Sequence, residues 1–160
     1  MPTDTAPPTM RLALDSDVFT DWRYQKPHTM QQIRDYRTRF GRFPRLTAMT
    51  VFEARFGFEN KLVKSLSVDE RLERDRLGME NLIRLSGVLE IEERTTAIAA
   101  YIFARLSQSE RNRLRADVFI AATSLAHGYG VATRNQRDFE LIGQHLPPEI
   151  PKLSLAIWKP

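Results

Sequence analysis

Short apolar runs alternate with longer amphipathic ones along this chain. Residues 11–14, RLAL, read as a strand ending at Asp15-Ser16-Asp17, and Val18, Phe19 and Trp22 continue as a first helix. Met30, Ile33, Tyr36 and Phe40 recur at spacings of three, three and four, which predicts an amphipathic helix over 28–41. Gly41 and Pro44 interrupt the pattern, and 45–49 reads as a second strand. Thr50-Val51-Phe52-Glu53 matches a capping box and predicts a helix to about Lys64. Ser67-Val68-Asp69-Glu70 matches another box, opening a helix through Leu85. A third strand falls at 88–91, a long apolar helix at 95–106, and a third box at Ser107-Gln108-Ser109-Glu110.

The stretch 116–138 holds the densest information. Asp117 is read as opening a helix, where a carboxylate suits the unpaired N–H groups; Phe119, Ile120, Ala121, Ala122 and Leu125 follow it. Gly128 and Gly130 end that helix and reverse the chain. Val131 and Ala132 form a short strand that stops at Thr133, Arg134 and Asn135, and a polar loop with Asp138 and Glu140 follows. A last strand is predicted at 153–158. Strands alternating with helices predict an α/β fold around a mostly parallel, doubly wound sheet. With 160 residues, no repeat and no dividing linker, the expectation is one domain over 11–160 behind a flexible tail at 1–10.

Composition narrows the chemistry. There is no cysteine, which removes disulfides and thiolate metal sites. His28, His127 and His145 lack helical ligand spacing, so zinc is not indicated, and no P-loop, GxSxG or GxGxxG occurs. The first ten residues lack the apolar core of a signal peptide and no run is long enough to span a bilayer, so a cytoplasmic location and no membrane partner are expected.

The net charge of +4 hides a sharper distribution. Seven bases between Arg23 and Arg45 face one acid, Asp35; a second run holds Arg105, Arg111, Arg113 and Arg115; the stretch 65–93 between them is acidic. Nineteen of the 24 bases are arginine, whose planar fork suits phosphate or carboxylate. Arg34, Arg37, Arg39, Arg42, Arg113 and Arg115 are therefore expected to flank an acidic cleft and meet a polyanion.

Asp15 ends the first strand, Asn135 ends the fourth, and Glu53 and Asp117 are read at helix starts. In a parallel sheet with right-handed crossovers these positions share one edge. Gathered carboxylates repel unless a cation neutralises them, and hard oxygen donors suit Mg²⁺ or Mn²⁺. Such a centre attacks phosphodiesters. Each acid also suits a purely structural role: Glu53 inside its capping box, Asp117 and Asp15 or Asp17 at helix starts, Asp138 in a turn.

At these residues the chain resembles PIN-domain ribonucleases, in particular the VapC-type toxins of bacterial toxin–antitoxin pairs. LALDSDVFTDW is similar to their opening, LTAMTVFEARFG to their second motif, and ADVFIAATSLAHGYGVATRNQRDFE to their third and fourth. The resemblance spans about residues 11–158 and is most specific at D-x-x-I-A-A, H-G and T-R-N-x-x-D-F. It implies a PIN-like three-layer fold and puts the family's acidic positions at Asp15, Glu53 and Asp117. The fourth position, often aspartate in the family, is Asn135 here, which implies weaker hold on a second metal ion. The resemblance further implies a Mg²⁺- or Mn²⁺-dependent endoribonuclease, with RNA as substrate, a small antitoxin as inhibitor and a homodimeric state.

Two other classes compete. Asp15-Ser16-Asp17-Val18 after a strand is also similar to the start of haloacid-dehalogenase-type phosphatases, which want a late acidic pair and a lysine where this chain has T-R-N. A non-catalytic module, in which the arginines bind RNA or a partner and the acids merely cap, is the third. Metal-dependent RNA cleavage separates the first from both.

Overall fold

The computed structural model describes residues 3–65 and 69–160. Its elements in order are β1 (Thr3–Thr5), β2 (Leu12–Leu14), α1 (Ser16–Arg23), α2 (Pro27–Phe40), β3 (Arg45–Thr47), α3 (Ala48–Lys64) and α4 (Glu70–Ser86). There follow β4 (Val88–Leu89), α5 (Glu93–Arg105), α6 (Gln108–Ala126), β5 (Gly130–Thr133), α7 (Gln136–Gly143) and β6 (Leu153–Ile157). The strands form a single sheet in the order β1-β6-β5-β2-β3-β4, and every neighbouring pair is parallel.

Helices cover both faces, giving three layers. On one face Ile102, Leu114, Val118, Ile120, Phe139 and Ile142 pack with Val131, Leu153 and Leu155 of the sheet. On the other, Val18, Phe19, Trp22, Ile33, Val51, Phe58 and Met79 pack on Leu12, Leu14, Leu46 and Ala132. Neighbours 131 and 132 therefore face opposite layers, as the two-residue period of a strand requires. The sheet is closely knit at Gly130, where a Cβ would lie 2.9 Å from the Ser154 carbonyl oxygen of β6.

Within the stretch expected as a flexible tail over 1–10, β1 pairs with β6 in register Thr3↔Leu153, which covers an otherwise open sheet edge. Three other expectations are corrected. The box at Thr50–Glu53 does not form: α3 starts a turn earlier, with Thr47 as N-cap accepting from Thr50 N. The hydroxyl of Thr50 instead donates to the Leu14 carbonyl at 3.1 Å. Asp117 does not open a helix, because the Ser107–Glu110 box starts α6 at Gln108 and no breaker interrupts it before Ala126. Asp117 thus lies in the helix interior. Finally, the polar loop after β5 is a helix, α7, with Phe139 and Ile142 buried three residues apart. The box expected at Ser67–Glu70 lies outside the described residues in part; α4 is capped by Asp69, whose side chain accepts from Leu72 N.

Candidate active site

The register of the two central strands builds the site. β2 and β5 pair Leu14 with Ala132, which brings Asp15 and Thr133 level as each strand ends. Thr133 Oγ1, fully buried, donates to Asp15 Oδ2 at 2.5 Å and accepts from the Asn135 backbone N–H at 2.8 Å. Asp15 also caps α1, its Oδ1 accepting from Val18 N at 2.9 Å. Both oxygens are thus fixed in a carboxyl that is only 3% exposed. Burial pushes the Asp15 pKa up to about 6, although the bonds from Thr133 and Val18 act to lower it.

Asp117 reaches this centre from the middle of α6. Burial is the main cause that pushes its pKa up to about 7, and the charges of Asp15, Glu53, Asp138 and Asp17 raise it further. Four carboxylates from α1, α3, α7 and the end of β2 therefore act on a fifth. Glu53 projects from the second turn of α3 and accepts a short hydrogen bond from Ser16 Oγ. With the predicted box absent, Glu53 is free of any capping duty and faces α1. Asn135 follows β5 as the N-cap of α7, and its Nδ2 donates to Asp138 Oδ2 at 2.6 Å. Asp138 is also bound by Arg113. Burial raises the Asp138 pKa, but the bonds from Arg113 and Asn135 outweigh it and leave this carboxyl below its ordinary range.

The predicted acidic positions Asp15, Glu53 and Asp117 are brought within electrostatic range, and Asn135 is tied to Asp15 through Thr133. Among the described residues, no three His, Asp or Glu side chains form a ready-made metal shell.

The arginines divide differently from the expectation. Tyr36, on the last turns of α2, accepts from Leu12 N at the start of β2, so this end of α2 lies at the amino edge of the sheet. Arg39 lines a cavity there with Met10 and Leu12, and Arg42 acts on Tyr36 together with Arg11. Asp15 is at the opposite, carboxyl edge. Arg34 donates to Gln31, and Arg37 lies over the Phe43 ring at 4.3 Å. Charge runs count bases but do not say which edge a helix end reaches. Arg115 faces a separate cavity with Phe103 and Phe119. It lies two residues from Asp117, which puts the two side chains on different helix faces.

Of the six predicted arginines, Arg113 acts on the acids, through Asp138 and Asp117. Arg134 and Arg137 do so too and were missed: Arg134 on Asp15, Arg137 on Asp138. Arg134 Nε lies 3.1 Å from Asp21 Oδ2 but off the line of a hydrogen bond, so the pair is an ion contact. The position of Arg134 between Thr133 and Asn135, at the end of a strand, was the available signal.

No protein-family model matches the chain. In structure, the chain is similar to one in the crystal structure of VapBC2 from Rickettsia felis bound to a promoter DNA fragment. That match has a TM-score of 0.64 at 13% identity and covers 94% of this chain and 100% of that one. A chain of the DNA-bound VapBC from Salmonella typhimurium matches with a TM-score of 0.64 at 20% identity, over 94% and 100%. A chain of VapBC-1 from nontypeable Haemophilus influenzae matches at 0.60 and 16%, over 93% and 98%. At these identities the likeness concerns the fold. In sequence, the chain is 36% identical over 101 residues to the VapC ribonuclease Y4jK of Sinorhizobium fredii, covering 61% of this chain and 69% of that protein. With that identity across more than two thirds of the relative's length, this chain belongs to the VapC ribonuclease family.

Proposed function

We propose that the chain is an endoribonuclease that cleaves RNA phosphodiester bonds as the toxin of a toxin–antitoxin pair. In this reading Asp15, Glu53 and Asp117 hold a Mg²⁺ or Mn²⁺ ion, and Asn135 orients the site. The ribonuclease named in its relative and the toxin–antitoxin complexes of its structural neighbours support the activity and an antitoxin partner. The observation that carries the metal is the mutual repulsion of carboxyls drawn from four elements onto Asp117. A hard divalent cation relieves it, and all the donors are oxygens. Because Mg²⁺ keeps several waters, few carboxylates suffice and no preformed cage is required. Bound there, the cation supplies Lewis-acid polarisation at the phosphoryl group.

The chain's own residues do the rest. Asp15 is held rigid by Thr133 and the Val18 N–H, which fixes the donor geometry before any ligand arrives. Arg113, Arg134 and Arg137 offer phosphate-binding forks around the acids. Asn135 presents a neutral amide where a fourth acid would add charge, so a second ion is bound less tightly than the first. A second copy of the chain fits the exposed stacked pair Phe52 and Phe56, 59% and 54% exposed on α3, beside an apolar cavity reaching Val88.

The deciding experiment follows cleavage of single-stranded RNA with Mg²⁺, with Mn²⁺ and with a chelator. Cleavage that requires the ion, and that falls by orders of magnitude in Asp117→Asn, supports the reading. Undiminished cleavage in chelator would overturn the metal, and no cleavage under either ion would overturn the nuclease.

A further inference from the structure

Beside the acids, α1 and α3 run next to one another in the same direction. They touch at Ser16–Glu53 and again at Lys61–Tyr24, where Nζ donates to the phenol oxygen at 3.4 Å. From 16 to 24 and from 53 to 61 each helix advances by roughly 12 Å. Between these two contacts lies a cleft of about 230 Å³. That is smaller than the roughly 300–1,000 Å³ of pockets for drug-sized ligands, and nearer the size of one base.

Gly57 lies midway along this cleft on α3, and a Cβ there would meet nothing within 4 Å. Glycine inside a helix is about 1 kcal/mol less favourable than alanine, so close packing is not what places it here. Its effect is to leave the cleft open. At the far end Tyr24 is 51% exposed, with the Arg23 guanidinium 5.7 Å from its ring centroid. Arg23 and Lys61 share a single carboxylate, Asp75, at 3.4 and 3.6 Å, so this wall keeps a positive excess.

We propose that the cleft is a subsite for one unpaired nucleotide of the RNA, next to the scissile phosphate, with Tyr24 stacking on the base and Arg23 and Lys61 meeting its phosphate. The proposal rests on the ribonuclease reading above. An exposed aromatic face between cations is the surface that single-stranded nucleic acid uses, because every base offers a π-face and every nucleotide a charge. The near end opens on Ser16 and Glu53, so a nucleotide seated here extends directly from the acidic centre. An amphipathic protein helix would instead need a continuous apolar trough, which the cations at one end and the carboxylate at the other interrupt.

Gly57→Leu is the most direct test. Its side chain enters the open space while helix propensity improves, so the protein stays folded with an equal or higher melting temperature. Binding of a fluorescein-labelled, mixed-sequence single-stranded oligoribonucleotide is measured by anisotropy in chelator, and cleavage separately with Mg²⁺. The expected result is a Kd and KM raised about tenfold in both Gly57→Leu and Tyr24→Ala, with a much smaller effect on kcat. Tyr24→Trp restores affinity, and a duplex of the same sequence shows no such difference. Wild-type Kd in both Gly57→Leu and Tyr24→Ala overturns the subsite, as does a loss confined to binding of a protein inhibitor. A wild type that binds the oligonucleotide without cutting it defeats the nuclease reading alone, and the Kd comparison still decides the cleft. A wild type that binds no single-stranded RNA defeats both.

Discussion

Asp117 bears a charge that its surroundings resist. Burial and four nearby carboxylates raise its pKa to about 7, so near neutral pH its ionised form is held against a gradient. Asp117→Asn removes that repulsion, and being interior to α6 it touches no cap. The metal-free variant should therefore be more stable than the parent at pH 8, by about 1–2 kcal/mol once partial solvation is allowed for, while losing cleavage. A urea midpoint below the parent's would contradict this. Asp15 and Asp117 together set a pH dependence. Between about pH 4 and 7 the native state binds more protons at these two groups than the unfolded chain does, so their contribution to stability falls as pH rises. Asp138 runs the other way: its contribution is full above the ordinary carboxylate range and is lost as pH falls below it through the lowered folded pKa. In chelator the melting temperature should drop from pH 5 to pH 8, and Mg²⁺ should raise it chiefly at pH 8, where the ligands are ionised. An Mg²⁺ effect equal at both ends would argue against carboxylate ligation. Asp15 and Asn135 were legible because strand ends are local features of the sequence. The Thr133 hydroxyl that joins them was not, since its partner is 118 residues away in the chain.

Capping shows at the scale of elements which local signals can be relied on. Ser107 and Glu110 bond reciprocally as read, because nothing upstream offers α6 an earlier start. Thr50 and Glu53 have the same pattern, yet Thr47 ends β3 and takes the cap one turn before them. The box motif cannot see a competing threonine three residues upstream. What frees Glu53 for the acidic centre is therefore Thr47. Thr47→Val, nearly equal in volume, should lower stability by about 1–2 kcal/mol through the lost cap. Glu53→Gln should leave the denaturation midpoint almost unchanged and abolish most cleavage. If the two variants exchanged these outcomes, with Glu53 mattering for stability and not for cleavage, Glu53 would be structural after all. α7 escaped the reading for a different reason. Four of its eight residues are polar or charged, and Phe139 and Ile142 are the large side chains on its buried face. Without α7, Asn135 and Asp138 look like members of a turn; with it, they are the cap and first turn of a helix aimed at the sheet edge.

Across the whole molecule, the arginine excess splits between the two edges of one parallel sheet. Arg39 and Arg42 lie with the last turns of α2 at the amino edge, while Arg113, Arg134 and Arg137 surround the carboxyl edge where the acids meet. Sequence counts alone put Arg34, Arg37, Arg39 and Arg42 beside the acids together with Arg113 and Arg115. Topology separates them, since Asp15 lies at the edge of the sheet opposite Tyr36 and its neighbours. The consequence can be measured through counterion release, which reports how many phosphates a protein engages. A variant carrying Gln at 34, 37, 39 and 42 loses the guanidinium contacts over Phe40 and Phe43, each worth about 0.5–1 kcal/mol at an exposed site, so it should remain folded. Its KM for RNA should stay within about twofold of the parent's, and its salt dependence should be unchanged. Gln at 113 and 134 should instead raise KM about tenfold and flatten the slope of log K against log salt by roughly 1.4, the value for two phosphate contacts on a single strand. Each change also disturbs a carboxylate, Arg113→Gln by releasing Asp138 and Arg134→Gln by removing the ion contact to Asp21, so each single variant is measured beside the pair. A larger salt effect from the α2 set than from Arg113 and Arg134 would place the RNA path along the amino edge and would detach it from the carboxylates.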